Sequence, residues 1–143
     1  FAYDEEHLYL TVRCQKNPEC EYQSDQRVRS YDADLTPHDR VRILLDVDRD
    51  YSTYYALTVD HRGWTNDACW QDTSWNPQWF VAAGGDDGKW TIEAAIPWSE
   101  LVETPPTPGT AWALGVERFS PQVSPQVELT EPTPSDFFVL EFK

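Results

Sequence analysis

Four of the chain's seven tryptophans, Trp64, Trp70, Trp75 and Trp79, fall in one short polar stretch, Gly-Trp-Thr-Asn-Asp-Ala-Cys-Trp-Gln-Asp-Thr-Ser-Trp-Asn-Pro-Gln-Trp. A core tryptophan sits among Val, Ile and Leu. One set among Asn, Asp, Gln and Ser is held at a surface with its indole N–H open to a partner. Flat apolar faces beside amides and carboxylates suit a pyranose, whose C–H face stacks on indole while its hydroxyls need donors and acceptors. Asn66, Asp67, Gln71, Asp72, Asn76 and Gln78 supply these. The stacking candidates are Trp70, Trp75 and Trp79, with Gln71 and Asn76 as hydrogen-bonding neighbours. Each stacked ring contributes about 0.5–1.5 kcal/mol, so two or three of them give modest affinity. The competing reading is an aromatic excursion folded back over its own sheet, with Trp64 and Trp79, which flank strands, pointing inward.

Other residue clusters carry weaker chemistry. Asp46, Asp48 and Asp50 recur at every second position across a strand end, so their oxygens could converge on a structural Ca²⁺; solvated turn carboxylates are the alternative. The stretch is not an EF-hand loop, because Tyr51 stands where glycine is needed and Leu57 where the bidentate Glu is needed. Arg42 and Arg118 are expected to share a sheet surface and reach ligand hydroxyls, or else to pair with Glu93 or Glu117. No catalytic residues are assigned. His7, His38 and His61 stand singly, and acidic residues in a sequence do not reveal the carboxylate pair a glycosidase needs. Cys14 and Cys20, separated by Gln-Lys-Asn-Pro-Glu, read as a local disulfide with Cys69 a buried thiol; three reduced thiols are the alternative.

The elements that must position these groups are strands. Period-two alternation dominates and helical spacing is nearly absent. In Arg40 to Val47, residues Val41, Ile43, Leu45 and Val47 point one way. Similar runs cover His7 to Arg13, Tyr54 to Asp60, Gln78 to Ala83, Lys89 to Ile96, Ala111 to Phe119 and Phe137 to Phe142. Turn residues separate them, most clearly Asp86-Asp87-Gly88, where Asp-Gly supplies positive φ. Trp90 and Trp112 alternate with core positions. Pro97 to Leu101 reads as one helical turn, and Ser120 to Ser135 as irregular surface chain. The fold class is an all-β antiparallel β-sandwich of jelly-roll or immunoglobulin-like character, with adjacent strands paired as hairpins.

Composition bounds the partners. A chain of 143 residues is one ordinary domain, able to bury about two-thirds of its unfolded surface. Its 25 acidic and 11 basic residues give a charge of -14, which repels nucleic-acid phosphates and anionic lipid surfaces. No apolar run reaches the roughly 20 residues of a membrane-spanning helix. With no methionine and an opening in mid-pattern at Phe1-Ala2-Tyr3-Asp4, the sequence reads as a fragment of a longer multidomain protein.

Ala2-Tyr3-Asp4 before Leu8-Tyr9-Leu10, the run Asp39 to Asp46, Tyr54 to Val59, Gly88-Lys89-Trp90-Thr91-Ile92-Glu93-Ala94-Ala95-Ile96-Pro97-Trp98 and Phe138-Val139-Leu140 together resemble the family 9 carbohydrate-binding modules and the related DOMON-like β-sandwiches. The resemblance implies the sandwich architecture and a non-catalytic role in binding a polysaccharide or oligosaccharide. It also implies a secreted, periplasmic or cell-surface parent whose neighbouring domains the module serves. Family members clamp a sugar between two tryptophans. Neither has a counterpart here, since 30–39 holds only Tyr31 and 122–136 no aromatic residue. Haem held by Met and His, as in some DOMON-like relatives, lacks its methionine, which leaves bis-histidine ligation open. The alternative to sugar binding is a structural or protein-interaction module whose tryptophan segment packs on a neighbouring domain.

Overall fold

A computed structural model describes residues 1–23, 32–121 and 131–143. The alternation of β3 (Arg40–Asp46) places Val41, Ile43 and Leu45 in the core. The same rule places Leu8 and Leu10 of β2 (His7–Gln15), Leu57 and Val59 of β4 (Tyr55–Asp60), and Trp90, Ile92 and Ile96 of β7 (Lys89–Pro97). The remaining strands are β1 (Ala2–Tyr3), β5 (Thr65–Cys69), β6 (Phe80–Gly85), β8 (Ala111–Phe119) and β9 (Phe137–Glu141). Antiparallel pairing arranges them as a four-stranded sheet, β1-β2-β7-β6, and a five-stranded sheet, β5-β4-β3-β8-β9. Their inner faces enclose one apolar core, closed at one end by Trp98, Trp112 and Phe142 in edge contacts of 5.0–6.0 Å. The expected β-sandwich is therefore present.

Details depart from expectation in instructive ways. Not all chain neighbours are hairpin partners, because β2 runs along β7 rather than β3. The β6–β7 turn does not depend on positive φ at Asp87-Gly88. Gly85 carries it at φ 153°, where a Cβ would meet the Lys89 carbonyl at 2.3 Å, and the Asp86 carboxylate accepts the Gly88 and Lys89 amides at 2.8 Å. A 3-10 turn, Trp98–Glu100, stands where a helical turn was expected. Of the expected irregular stretch, 122–130 lies outside the described residues, and Pro134–Asp136 is a 3-10 turn capped by Thr133. The expected disulfide is absent: all three cysteines are free. Cys14 is held in β2 opposite Trp90 and packs on the core, whereas Cys20 lies beyond the turn with its Sγ 3.1 Å from Ser120 Oγ.

Candidate functional site

Cys69 and Asp72 exchange both backbone hydrogen bonds, at 3.0 and 2.9 Å, closing a two-residue turn over Trp70 and Gln71. Trp70 occupies its first position with φ 53°, a conformation that costs an L-residue about 1–2 kcal/mol and is normally left to glycine. Its N–H donates to the Tyr54 carbonyl at 2.7 Å, which fixes the turn to the start of β4. Trp70 as a whole is 49% exposed. A large apolar ring is thus held in water at a strained backbone position, with the exposed Gln71 beside it. Such strain points to function rather than packing. Asn76 is exposed as well, its side-chain amide donating to the Ser74 carbonyl at 3.0 Å.

The other tryptophans of the segment are used differently. Trp75 is half-buried and packs on the Tyr55 ring, centroids 4.8 Å apart, so one of its faces is covered. Trp79 leaves the stacking set. It is 4% exposed within the core, its Nε1–H donating to Asp67 Oδ2 at 3.3 Å, because the chain turns inward there to begin β6. Trp64 lies half-buried beneath the Arg62 guanidinium, 4.5 Å from its ring centroid.

The two arginines do not share a surface. β3 pairs Arg42 with Glu117 and Val41 with Arg118, so the consecutive residues Glu117 and Arg118 point to opposite faces. Arg42, 7% exposed, lies 2.8 Å from Glu117, and its Nη2 is sealed from solvent without a hydrogen-bond partner among the described residues. Arg118 faces inward, where it donates to both oxygens of Asp39 at 3.0 and 2.7 Å and to the Gln15 carbonyl at 2.6 Å. Burial takes Arg42 out of reach of a ligand, whereas Arg118, its side chain 36% exposed, is engaged by Asp39 and the Gln15 carbonyl.

Asp46, Asp48 and Asp50 do converge, with oxygens within 4.8 Å of one another. These are hard oxygen donors of the kind Ca²⁺ takes. Several lone pairs are already engaged: Asp46 accepts the Arg49 and Tyr51 amides at 2.7 and 2.8 Å, and Asp50 accepts those of Ser52 and Thr53. Burial, with Asp48 adding to it, raises the Asp46 carboxyl above its usual range against the pull of those two amides. A folded-state value above the unfolded one means stability present at low pH is lost as pH rises through the raised value. Asp48→Asn therefore raises the melting midpoint in chelator-containing buffer at neutral pH by on the order of 1–3 °C. Calcium that lifts the wild type more than this variant identifies a cation site; equal response identifies turn carboxylates.

An exposed aromatic row was not foreseen. Tyr9, Ala95 and Phe80 lie in register across the outer face of the four-stranded sheet, Phe80 65% and Tyr9 38% exposed, with His7 between their rings at 5.8 and 6.4 Å. Only the pairing of β2 with β7 brings these distant residues together, and no local pattern announces it.

No family model matches the chain, and no curated protein matches it. Two solved structures are similar in fold. One is a family 9 carbohydrate-binding module from Caldicellulosiruptor kristjanssonii in complex with glucose, with TM-score 0.67, 14% identity, and coverage of 99% of this chain and 73% of that one. The other is a family 9 module from the same organism in complex with cellotriose, with TM-score 0.52, 16% identity, and coverage of 80% of this chain and 52% of that one. With two antiparallel sheets in a matching arrangement along nearly the whole chain, the protein has the β-sandwich fold of the family 9 carbohydrate-binding modules.

Proposed function

We propose that the chain is a non-catalytic carbohydrate-binding module that holds a polysaccharide or oligosaccharide by stacking a sugar ring on Trp70. Gln71 and Asn76 supply hydrogen bonds, and the uncovered part of Trp75 completes the contact. The observation that carries this reading is the Trp70 turn: a tryptophan 49% exposed at φ 53° serves no packing purpose that a glycine would not serve better. The likeness to modules that bind glucose and cellotriose supports the ligand class. One principal stack implies weak binding, strengthened in an exported parent by neighbouring domains that engage the same polymer. A secreted, periplasmic or cell-surface location follows from where such polymers lie.

Trp70→Gly separates function from fold. Affinity for cello-oligosaccharides or xylan fragments falls about tenfold, the loss of one stacking contact. Stability stays within about 1 kcal/mol of wild type, because relief at positive φ offsets the entropy glycine adds to the unfolded chain. Calorimetric titration and denaturant unfolding of the same sample measure both. Binding that survives this change and disappears in Phe80→Ala would move the site to the aromatic row of the four-stranded sheet.

A further inference from the structure

At the β4–β5 turn, the opposite end of β5 from Trp70, a cavity of about 340 Å³ is lined by Lys16, Tyr22, His61, Arg62 and Trp90, with Ala83, Gly84 and Gly85 of β6 at its edge. His61 is 9% exposed, and neither ring nitrogen has a hydrogen-bond partner among the described residues. Leaving a buried polar atom unpaired costs about 1–3 kcal/mol, so two on one ring require an explanation. Burial pushes the imidazole below its usual range while Asp60 pulls the other way, so the ring is neutral at pH 7, with one donor and one acceptor. The Gln23 and Asp39 carbonyls also favour its protonated form, but from outside hydrogen-bond geometry.

The charged side chains that line the cavity among the described residues, Lys16 and Arg62, are basic. Lys16 Nζ donates to a neutral acceptor, the Asp86 carbonyl, at 2.7 Å and lies 5.4 Å from the Tyr22 ring centroid. Arg62 directs Nε and Nη2 to Asp60 Oδ2 at 2.9 and 2.6 Å. The carboxylates of the region are turned elsewhere: Asp39 to Arg118, Tyr22 and Trp90, and Asp86 to the amides of its own turn. Among the described residues, no acidic side chain lines the cavity. In a chain of net charge -14, a concave site edged by Lys16, with Arg62 already paired to Asp60 and the imidazole set in its wall, favours negative charge beside Lys16.

We propose that this cavity binds an oxyanion, the carboxylate of an acidic sugar such as a uronate, with Lys16 meeting the charge and the His61 ring, whose nitrogens are sealed in the wall, turning to hydrogen-bond the ligand. The cavity is roomier than an inorganic ion requires, and the Tyr22 ring gives it one aromatic wall. The site is separate from Trp70, so it stands or falls independently of the stacking surface.

The test is an NMR titration of the whole chain with sodium glucuronate, glucose and inorganic sulfate at constant ionic strength, following the His61 ring and Trp90 indole signals. Glucuronate gives saturable shifts with Kd on the order of 1–10 mM, and glucose does not. Lys16→Met and His61→Phe each weaken this at least about fivefold, and Ala83→Leu, which narrows the exposed edge, does the same. Trp70→Gly leaves it unchanged. His61→Phe also raises the unfolding midpoint, because it removes two unpaired buried atoms. Sulfate binding as tightly as glucuronate assigns the site to free oxyanions rather than sugars. No saturable shift with either anion, or shifts undiminished in both Lys16→Met and His61→Phe, overturns the proposal.

Discussion

Asp39→Ala is expected to lower the free energy of unfolding by about 3–5 kcal/mol, a large share of the 5–15 kcal/mol typical of such a domain. Asp39 is 1% exposed and accepts hydrogen bonds from Arg118 Nε and Nη2, Tyr22 Oη and Trp90 Nε1, the last at 2.9 Å. It thereby joins β3, β7, β8 and the segment after β2 at a single carboxylate. Removing it leaves a buried indole N–H and a guanidinium without acceptors. Burial alone would raise its carboxyl, but the bonds from Arg118, Tyr22 and Trp90 outweigh burial and hold it below the usual range. A depressed folded value gives stability that is present above the unfolded value, about 3.9, and lost as pH falls below it. Tyr22 sets the opposite limit. Burial first, then the bond to Asp39, lifts its phenol to about 12, so its contribution is full below the unfolded value of 10.0 and lost as pH rises toward about 12. Denaturant unfolding of the variant at neutral pH checks the main claim. A loss under about 1 kcal/mol contradicts it.

Trp79→Ala carries the second large effect, and it contrasts with Trp70 from the same segment. Trp79 is 4% exposed and packs with Trp90, Leu57 and Ile92 in the core, so truncation removes a full aromatic volume and costs about 3–5 kcal/mol. For a domain of this size that lowers the melting midpoint by on the order of 10 °C. Two tryptophans nine positions apart thus differ in opposite senses: Trp79→Ala unfolds more easily, whereas Trp70→Gly unfolds as wild type and binds less well. A thermal scan of the two variants side by side measures the difference; similar midpoints would mean the assignments are wrong.

Strands whose inward residues are apolar were legible in the sequence, because in β7 apolarity and burial coincide along every second residue. Strand β5 was not. Its inward residues are Thr65 and Asp67, 1% and 2% exposed, so burial there is polar and alternation in hydrophobicity vanishes. Gly63 at φ 83° and the Asp60 carboxylate, which accepts the Arg62 and Trp64 amides at 2.9 and 3.1 Å, build the turn that starts it. That turn was the available signal. For the site, residue type located the segment but could not separate a ring serving the core from one serving the surface. Trp70 and Trp79 both sit among polar neighbours in sequence. What divides them is the Cys69–Asp72 turn and the inward entry to β6, which depend on pairing with β4 and β7. The expectation that Arg42 and Arg118 share a surface failed for a register reason, since their faces are set by which residue of β8 lies opposite Val41, while the alternative pairing of Arg42 with Glu117 is present.

The most direct test of the stacking account is a ¹H–¹⁵N spectrum of the indole N–H groups during titration with cellotriose or a xylo-oligosaccharide. The seven tryptophans give resolvable reporters, and the account predicts a saturable shift at Trp70, a smaller one at Trp75, and stationary signals from Trp79, Trp90, Trp98 and Trp112. A Trp70 signal that stays fixed across a panel of glycans while any other indole moves would contradict it.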